Sequence, residues 1–479
     1  MGFIMERDHK VNGRDIFSTT AMSFTSGIVG ALMSTYFLLY LTDYSGIGVY
    51  AAALGSAVMI AARIFDVFNE PTVGMIINRS KVGRFGKYRP FILLSTLLST
   101  FAVLALFFIP SGILKSKAIV IIYVFLFYFL YDIGIAFNVP ELLYRSIAGD
   151  SNERGKLLVG PKFANVALGI FIAAIMSVVA VVSNFTGSYH TAFGITVAIY
   201  LLAALAITLL GLALVREYRH DDVKLEQGTK VTLKDFAVVF RENDAYRIKI
   251  ISNLFSGFVW TLVFNACSYF AKWAYCADIT TGEVDADAFA LMMILSSLVT
   301  LVPMLTGVAL SQPIMKKIGK PDKFYRILLL MQMIPAGLIF IFQMLGILQY
   351  SMYLFYGLLA VISFAMGASN VPASVINMEV MDYDIYKNHT DRSAIMNSIS
   401  SLIGKIQSSI SSVLLASVLI AIGYVVDSDT GNFIGDLANV PGMLNWFTVI
   451  MGLVPALFCL IAYLLLRRYP ITDEMREKF

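Results

Sequence analysis

The sequence predicts an all-α integral membrane protein with about twelve transmembrane helices in two six-helix halves. Three observations carry that expectation. The 479-residue chain is 58% hydrophobic and only 14% charged, with a mean hydropathy of +0.76, whereas a soluble domain carries roughly 25% charged residues. Apolar stretches near the ~20 residues that a helix needs to cross a bilayer recur from end to end. The longest polar interval divides them evenly, giving a first half over 1–215, a cytoplasmic linker over 216–246 and a second half with a short tail over 247–479.

In order, the spans are placed near 16–41, 48–77, 90–110, 117–144, 157–183 and 191–215, then 247–276, 286–311, 324–346, 350–376, 394–425 and 443–466. The residues before the first span, MGFIMERDHKVNGRD, are polar and charged and do not read as a cleaved signal peptide. The loop after span 2 carries Arg79, Lys81, Arg84, Lys87 and Arg89, and the loop after span 8 carries Lys316, Lys317, Lys320 and Lys323. Cytoplasmic loops accumulate Lys and Arg, so both loops, both termini and the linker are expected in the cytoplasm and the chain in the cell's cytoplasmic membrane.

Several function classes find no support. Cys267, Cys276 and Cys459 are too scattered for a disulfide framework or a metal site. His9, His190, His220 and His389 fall in loops or tails, and HExxH and GxSxG motifs are absent, so no enzyme is expected and no cofactor. The net charge of +4 fits basic cytoplasmic loops and gives no reason to invoke nucleic acid; the expected surroundings are lipid, with a monomer sufficient for function.

Polar residues inside the spans are functional candidates, because ionised groups are costly in a membrane. Span 2 holds Arg63, Asp66, Asn69 and Glu70. The two acids are four apart and share a helix face, where like charges repel. Arg63 could neutralise Asp66 as a structural ion pair, but one guanidinium leaves a carboxylate over. Span 4 adds Asp132 and Asn138, and span 11 adds Lys405 in the serine-rich stretch SISSLIGKIQSSISS, which includes Ser401. Two or three acids facing one or two bases are relieved by a bound cation, and Na⁺ and H⁺ both satisfy that chemistry. Gly86-Lys87 and Gly319-Lys320 occupy corresponding loops of the two halves. Such paired loops mark duplicated transporters of the major-facilitator type, whose substrate site lies near the midplane between the halves.

The string from Asp66 to Pro90, DVFNEPTVGMIINRSKVGRFGKYRP, resembles the signature of the glycoside-pentoside-hexuronide:cation symporters. The resemblance extends to Asn138-Val139-Pro140, Asp382-Tyr383 with Tyr386, Lys405, and Tyr469-Pro470-Ile471-Thr472. It implies secondary active, cation-coupled symport of a sugar, glycoside or hexuronide by alternating access. It also implies that Asp66, Asn69 and Glu70 are cation ligands with Lys405 beside them. Ile135 stands where the family often has a hydroxyl ligand, and Asp132 is the candidate to replace it. Its other reading is a charge facing a hydrated cavity.

On the substrate side, Gly27 and Asn138 stand where the melibiose-type branch has acids, and Lys162 stands where the family has a basic substrate contact. Lys272 and Trp273 offer a cation and an aromatic face suited to an anionic sugar, although Lys272 also suits a role of snorkelling to the interface. Ser401 completes the substrate candidates. Glycines permit tight turns, so Gly83 and Gly86 are expected to shape the basic loop. Arg84, Lys87 or Arg89 would then pair with Glu153, Asp382 or Asp384 as a cytoplasmic gate. A lipid, zwitterion or other organic anion carried on the same fold is the alternative substrate class, and a non-transporting membrane sensor the alternative function.

Overall fold

A computed structural model of the chain describes residues 10–47, 50–173, 175–218, 234–278, 281–389, 391–421 and 440–476. Residues 219–233 of the expected linker, with His220 among them, His9 and the last residues of the expected span 394–425 lie outside the described residues. Among those described, the chain is helical, with only two isolated β-bridges, Gly83 to Gly86 and Ala277 to Val284.

Nine described helical segments are long and apolar enough to cross a membrane. Beyond these, Ala51–Arg79, Ser151–Ala173 and Ser393–Ala421 also have spanning length. In chain order the helices are α1 (Gly13–Thr35), α2 (Ala51–Arg79), α3 (Arg89–Phe107), α4 (Lys117–Ala136), α5 (Pro140–Ile147), α6 (Ser151–Ala173), α7 (Ile175–Thr186), α8 (Tyr189–Leu214) and α9 (Lys234–Glu242). After them come α10 (Asp244–Tyr275), α11 (Ala286–Ile318), α12 (Pro321–Met344), α13 (Met352–Asn388), α14 (Ser393–Ala421), α15 (Val440–Thr448), α16 (Val454–Leu466) and α17 (Asp473–Arg476).

The chain forms two compact units. The first comprises Met1–Asn243, Met378–Leu402 and Glu474–Phe479, so the end of α13 and the first turns of α14 belong to it. Here α1 packs against α6 and α8, and α3 against α4. Val29, Leu32 and Phe37 of the first span meet Val58, Phe107, Val124 and Phe193 in an apolar core. Burying a side chain of this size contributes ~1.5–3 kcal/mol relative to water, and in a bilayer close packing takes over that role. The start of α1 is fixed by a capping box, in which Asn12 and Asp15 bond each other's backbone N–H groups at 3.0 and 3.2 Å.

The second unit comprises Asp244–Asn377 and Ile403–Asp473. In it α10 and α12 both pack on α16, with Trp273, Phe270, Phe355 and Phe447 fully buried. Lys249 donates to Asn377 at 2.6 Å, and Gln407 donates to the carbonyls of Asn253 and Leu254 at 2.6 and 2.7 Å. Polar side chains so placed tie helices together where no water competes.

Candidate functional site

Helix α2 places its polar residues on a buried stripe. Asp66 is 0% and Glu70 1% exposed, and Asn69 is buried between them, while Ile64, Val67 and Phe68 on the opposite face are exposed. Period-3.6 geometry sorts the helix in this way: residues 66, 69 and 70 share one side, and the apolar residues are left for lipid. Arg63 Nη1 lies 3.3 Å from Asp66 Oδ2 and keeps 39% exposure. The Arg63–Asp66 pair read from the sequence therefore forms, and it leaves Glu70 to other partners.

Those partners come from two further helices. Asn69 Nδ2 donates to the backbone carbonyl of Asp132 on α4 at 3.2 Å. Ser401 on α14 donates its hydroxyl hydrogen to Glu70 Oε1 at 2.9 Å. One turn from Glu70, Gly74 lets α14 approach: a Cβ there would lie 2.5 Å from Ser398 Oγ and 3.2 Å from the Ala394 carbonyl. Asp132 is buried on α4. Among the described residues, no three His, Cys, Asp or Glu side chains gather as metal ligands. Asp66 and Glu70 place two buried carboxylates one turn apart on α2. Lys405 is half-buried on α14, one turn beyond Ser401, and belongs to the second compact unit.

A second polar centre lies at the end of α13. Asp382 receives Arg145 Nε at 2.5 Å and lies 2.5 Å from Arg154 Nη2, and both arginines are buried. Asp391 lies 3.6 Å from Lys87 Nζ and 3.7 Å from Arg145 Nη1, and accepts from the Ser393 N–H and hydroxyl at 3.1 and 2.5 Å. Asp384, fully buried, is gripped by both arms of the Arg392 guanidinium at 2.7 and 3.0 Å and accepts from Asn243 and Asn388. Glu379 accepts from Ser151 at 2.5 Å and from Arg476 at 3.1 and 3.2 Å.

Burial pushes the Asp391 carboxyl upward, but the Arg145 and Lys87 charges and the Ser393 hydrogen bonds outweigh it and hold the group below the ordinary carboxylate range. For Glu379 the balance reverses. Burial outweighs Arg476 and Ser151, and the carboxyl is raised.

The acids Asp382 and Asp384 are therefore ion-paired, with bases other than those the sequence nominated. Of the loop candidates, Lys87 reaches an acid on this segment, and that acid is Asp391. Arg89 donates to the Leu212 carbonyl at 2.7 Å, capping the end of α8. Arg84 is exposed. Glu153 takes Lys156 at 2.5 Å and the Val11 N–H at 2.8 Å. Sequence reasoning missed Arg145, Arg154, Arg392 and Asp391. No local pattern sets these residues apart from other charged positions near the helix ends.

The substrate candidates are dispersed. Gly27 packs on α6, where a Cβ would lie 2.7 Å from Asn165 Oδ1. Asn138 sits at the break between α4 and α5, and Lys162 is half-buried on α6 after Pro161. In the second unit, Lys272 Nζ lies 4.9 Å from the centre of the Trp273 ring and 5.8 Å from that of Phe289, and Trp273 is fully buried.

Comparison with known proteins agrees with this architecture. The profile of the family described as "MFS/sugar transport protein" matches residues 19–473. The uncharacterized symporter YjmB of Bacillus subtilis (strain 168) is 22% identical over 426 residues, 88% of this chain and 86% of its own. The lactose permease of Lactobacillus helveticus is 32% identical over 167 residues, 31% of this chain and 25% of its own. The crystal structure of the MFS transporter FucP in the outward conformation covers 96% of this chain and 98% of its own with a TM-score of 0.62; at 14% identity this likeness shows the fold alone. With the family profile spanning both compact units and the major facilitator fold underneath it, the chain belongs to the MFS/sugar transport protein family of cation symporters, and it is a membrane transporter and not an enzyme.

Proposed function

We propose that this chain is a secondary active symporter that couples Na⁺ or H⁺ entry to uptake of a sugar, glycoside or hexuronide by alternating access, with both termini in the cytoplasm and a monomer sufficient for transport. The observation that carries the reading is the pair Asp66 and Glu70, one helical turn apart and at most 1% exposed, with the Arg63 guanidinium 3.3 Å from Asp66. Two like charges so close on one helix face repel each other. A bound cation relieves that repulsion, and its presence or absence changes which conformation the helix favours. Asn69 and Asp132 support the site from α2 and α4.

On the substrate side, Asn138 and Lys162 of the first unit offer a hydrogen-bond donor and a positive charge to sugar hydroxyls or a uronate. The ion-pair cluster of Arg145, Arg154 and Lys87 with Asp382 and Asp391 is assigned as the cytoplasmic gate. Its pairs form in one state and part in the other.

The reading is tested by uptake into cells or proteoliposomes. Asp66→Asn is expected to leave folded protein in the membrane while abolishing concentrative uptake; a variant that still concentrates substrate would falsify the assignment. A thermal-shift screen against neutral sugars, uronic acids and lysophospholipid, with and without Na⁺, identifies the substrate class, since only ligands that favour the folded state stabilise it. Stabilisation by lysophospholipid alone would replace the sugar reading.

A further inference from the structure

The hydroxyl of Ser401 touches the carboxylate side of the site. It sits 2.9 Å from Glu70 Oε1, and its helix is brought there by Gly74, whose missing Cβ would meet Ser398 Oγ at 2.5 Å. The partners Glu70 with Ser401 and Gly74 with Ser398 run in opposite directions along the two chains, so α2 and the first turns of α14 form an antiparallel seam. At the other end of that seam, Ser393 opens α14. Its hydroxyl accepts from Arg145 Nη1 at 2.5 Å and donates to Asp391 at 2.5 Å. Eight residues of helix, about 12 Å at the usual rise, separate Ser393 in the ion-pair cluster from Ser401 at Glu70.

We propose that Ser401 is a positioning residue for the coupling cation, holding Glu70 and linking its occupancy to the ion-pair cluster through the first turns of α14, and is not a substrate contact. The inference rests on the reading of Asp66 and Glu70 as the coupling site. The chemistry follows from the donor's geometry. A serine hydroxyl has one hydrogen and two lone pairs, and here the hydrogen goes to Glu70 Oε1. That bond fixes one carboxylate oxygen of a buried group. A cation arriving at Glu70 competes with the hydroxyl for the same oxygen, so occupancy alters the tie between α2 and α14. Because a helix moves as a rod over two turns, the change reaches Ser393 and, through it, Arg145 and Asp391.

The test is the cation response of the purified full chain, read as the thermal-unfolding midpoint while NaCl replaces choline chloride at constant ionic strength, and again across a pH series. In the wild type, Na⁺ or H⁺ raises the midpoint with a measurable half-effect concentration. Ser401→Ala, which removes the competing hydroxyl, is expected to lower that concentration about tenfold, the size of one hydrogen bond to a charged group, and Ser401→Thr, which keeps the hydroxyl, to restore it. Gly74→Val, which pushes α14 from α2, is expected to reproduce the alanine result. A Ser401→Ala response identical to wild type overturns the proposal, as does failure of the threonine variant to recover. Asp66→Asn separates the two readings. If it keeps the full cation response, the coupling site itself is wrongly placed; if it loses the response while Ser401→Ala keeps it, only the role of Ser401 fails. A wild type that responds to neither cation overturns both.

Discussion

Asp382 shows most sharply what sequence reading gets right and wrong about a single residue. Its acidity and its place after an apolar span made it a gate candidate, but partner choice depends on contacts 228 and 237 residues away in the chain, beyond any local pattern. Two buried arginines converge on it, at 1% and 4% exposure. Removing one member of a buried pair costs ~3–5 kcal/mol because the remaining charge has no water to turn to. Asp382→Asn is therefore expected to lower unfolding stability by about that much in a detergent melt; a loss below ~1 kcal/mol would show that the arginines find other partners.

The pH dependence divides between two carboxyls. Asp391 is depressed, so its contribution is complete above the unfolded value of ~3.9 and is lost as pH falls through the lower folded value. Glu379 is raised, so its contribution is present below ~4.3 and is lost as pH rises through the folded value. Asp391→Asn is expected to flatten the acid limb of a stability–pH curve and Glu379→Gln the limb above it. Unchanged limbs would contradict the burial and pairing described for these groups.

At the scale of elements, the basic loop between α2 and α3 was legible in part. Its glycine spacing indicated a tight turn, and Gly83 and Gly86 do bond each other's backbone at 3.0 and 3.2 Å. What the spacing could not reveal is the carboxylate of Glu217, which accepts from the N–H groups of Lys87, Tyr88 and Arg89 at 2.9, 3.1 and 3.1 Å. An anion at a helix start satisfies donors that the helix itself leaves open. Gly86 makes room for it with φ +89°, and a Cβ there would lie 2.3 Å from Glu217 Oε1. Gly86→Ala therefore combines a left-handed backbone penalty of ~1–2 kcal/mol with a steric clash, and is expected to destabilise more than Glu217→Gln. The reverse order of melting temperatures would mean the loop is held by something else. The α2–α14 seam was less legible still, because small residues such as Gly74 and Ser398 carry no hydropathy signal that distinguishes a contact from a spacer.

Across the whole molecule, the helical spans were readable because each is a local property: about twenty apolar residues are visible wherever they occur. The acid pair was readable for the opposite reason, since charge inside such a run stands out. Packing was not readable. Nothing local assigns Met378–Leu402 to the first compact unit; long-range ion pairs at Glu379, Asp382 and Asp391 tie it there. The central claim is that Asp66 and Glu70 bind the cation whose gradient drives transport. Its most direct measurement is a pair of assays in proteoliposomes, energy-independent counterflow and gradient-driven accumulation, on wild type and Asp66→Asn with the substrate identified by thermal shift. The account predicts that the variant retains counterflow and loses accumulation under both Na⁺ and H⁺ gradients. Accumulation by Asp66→Asn at the wild-type level would contradict it.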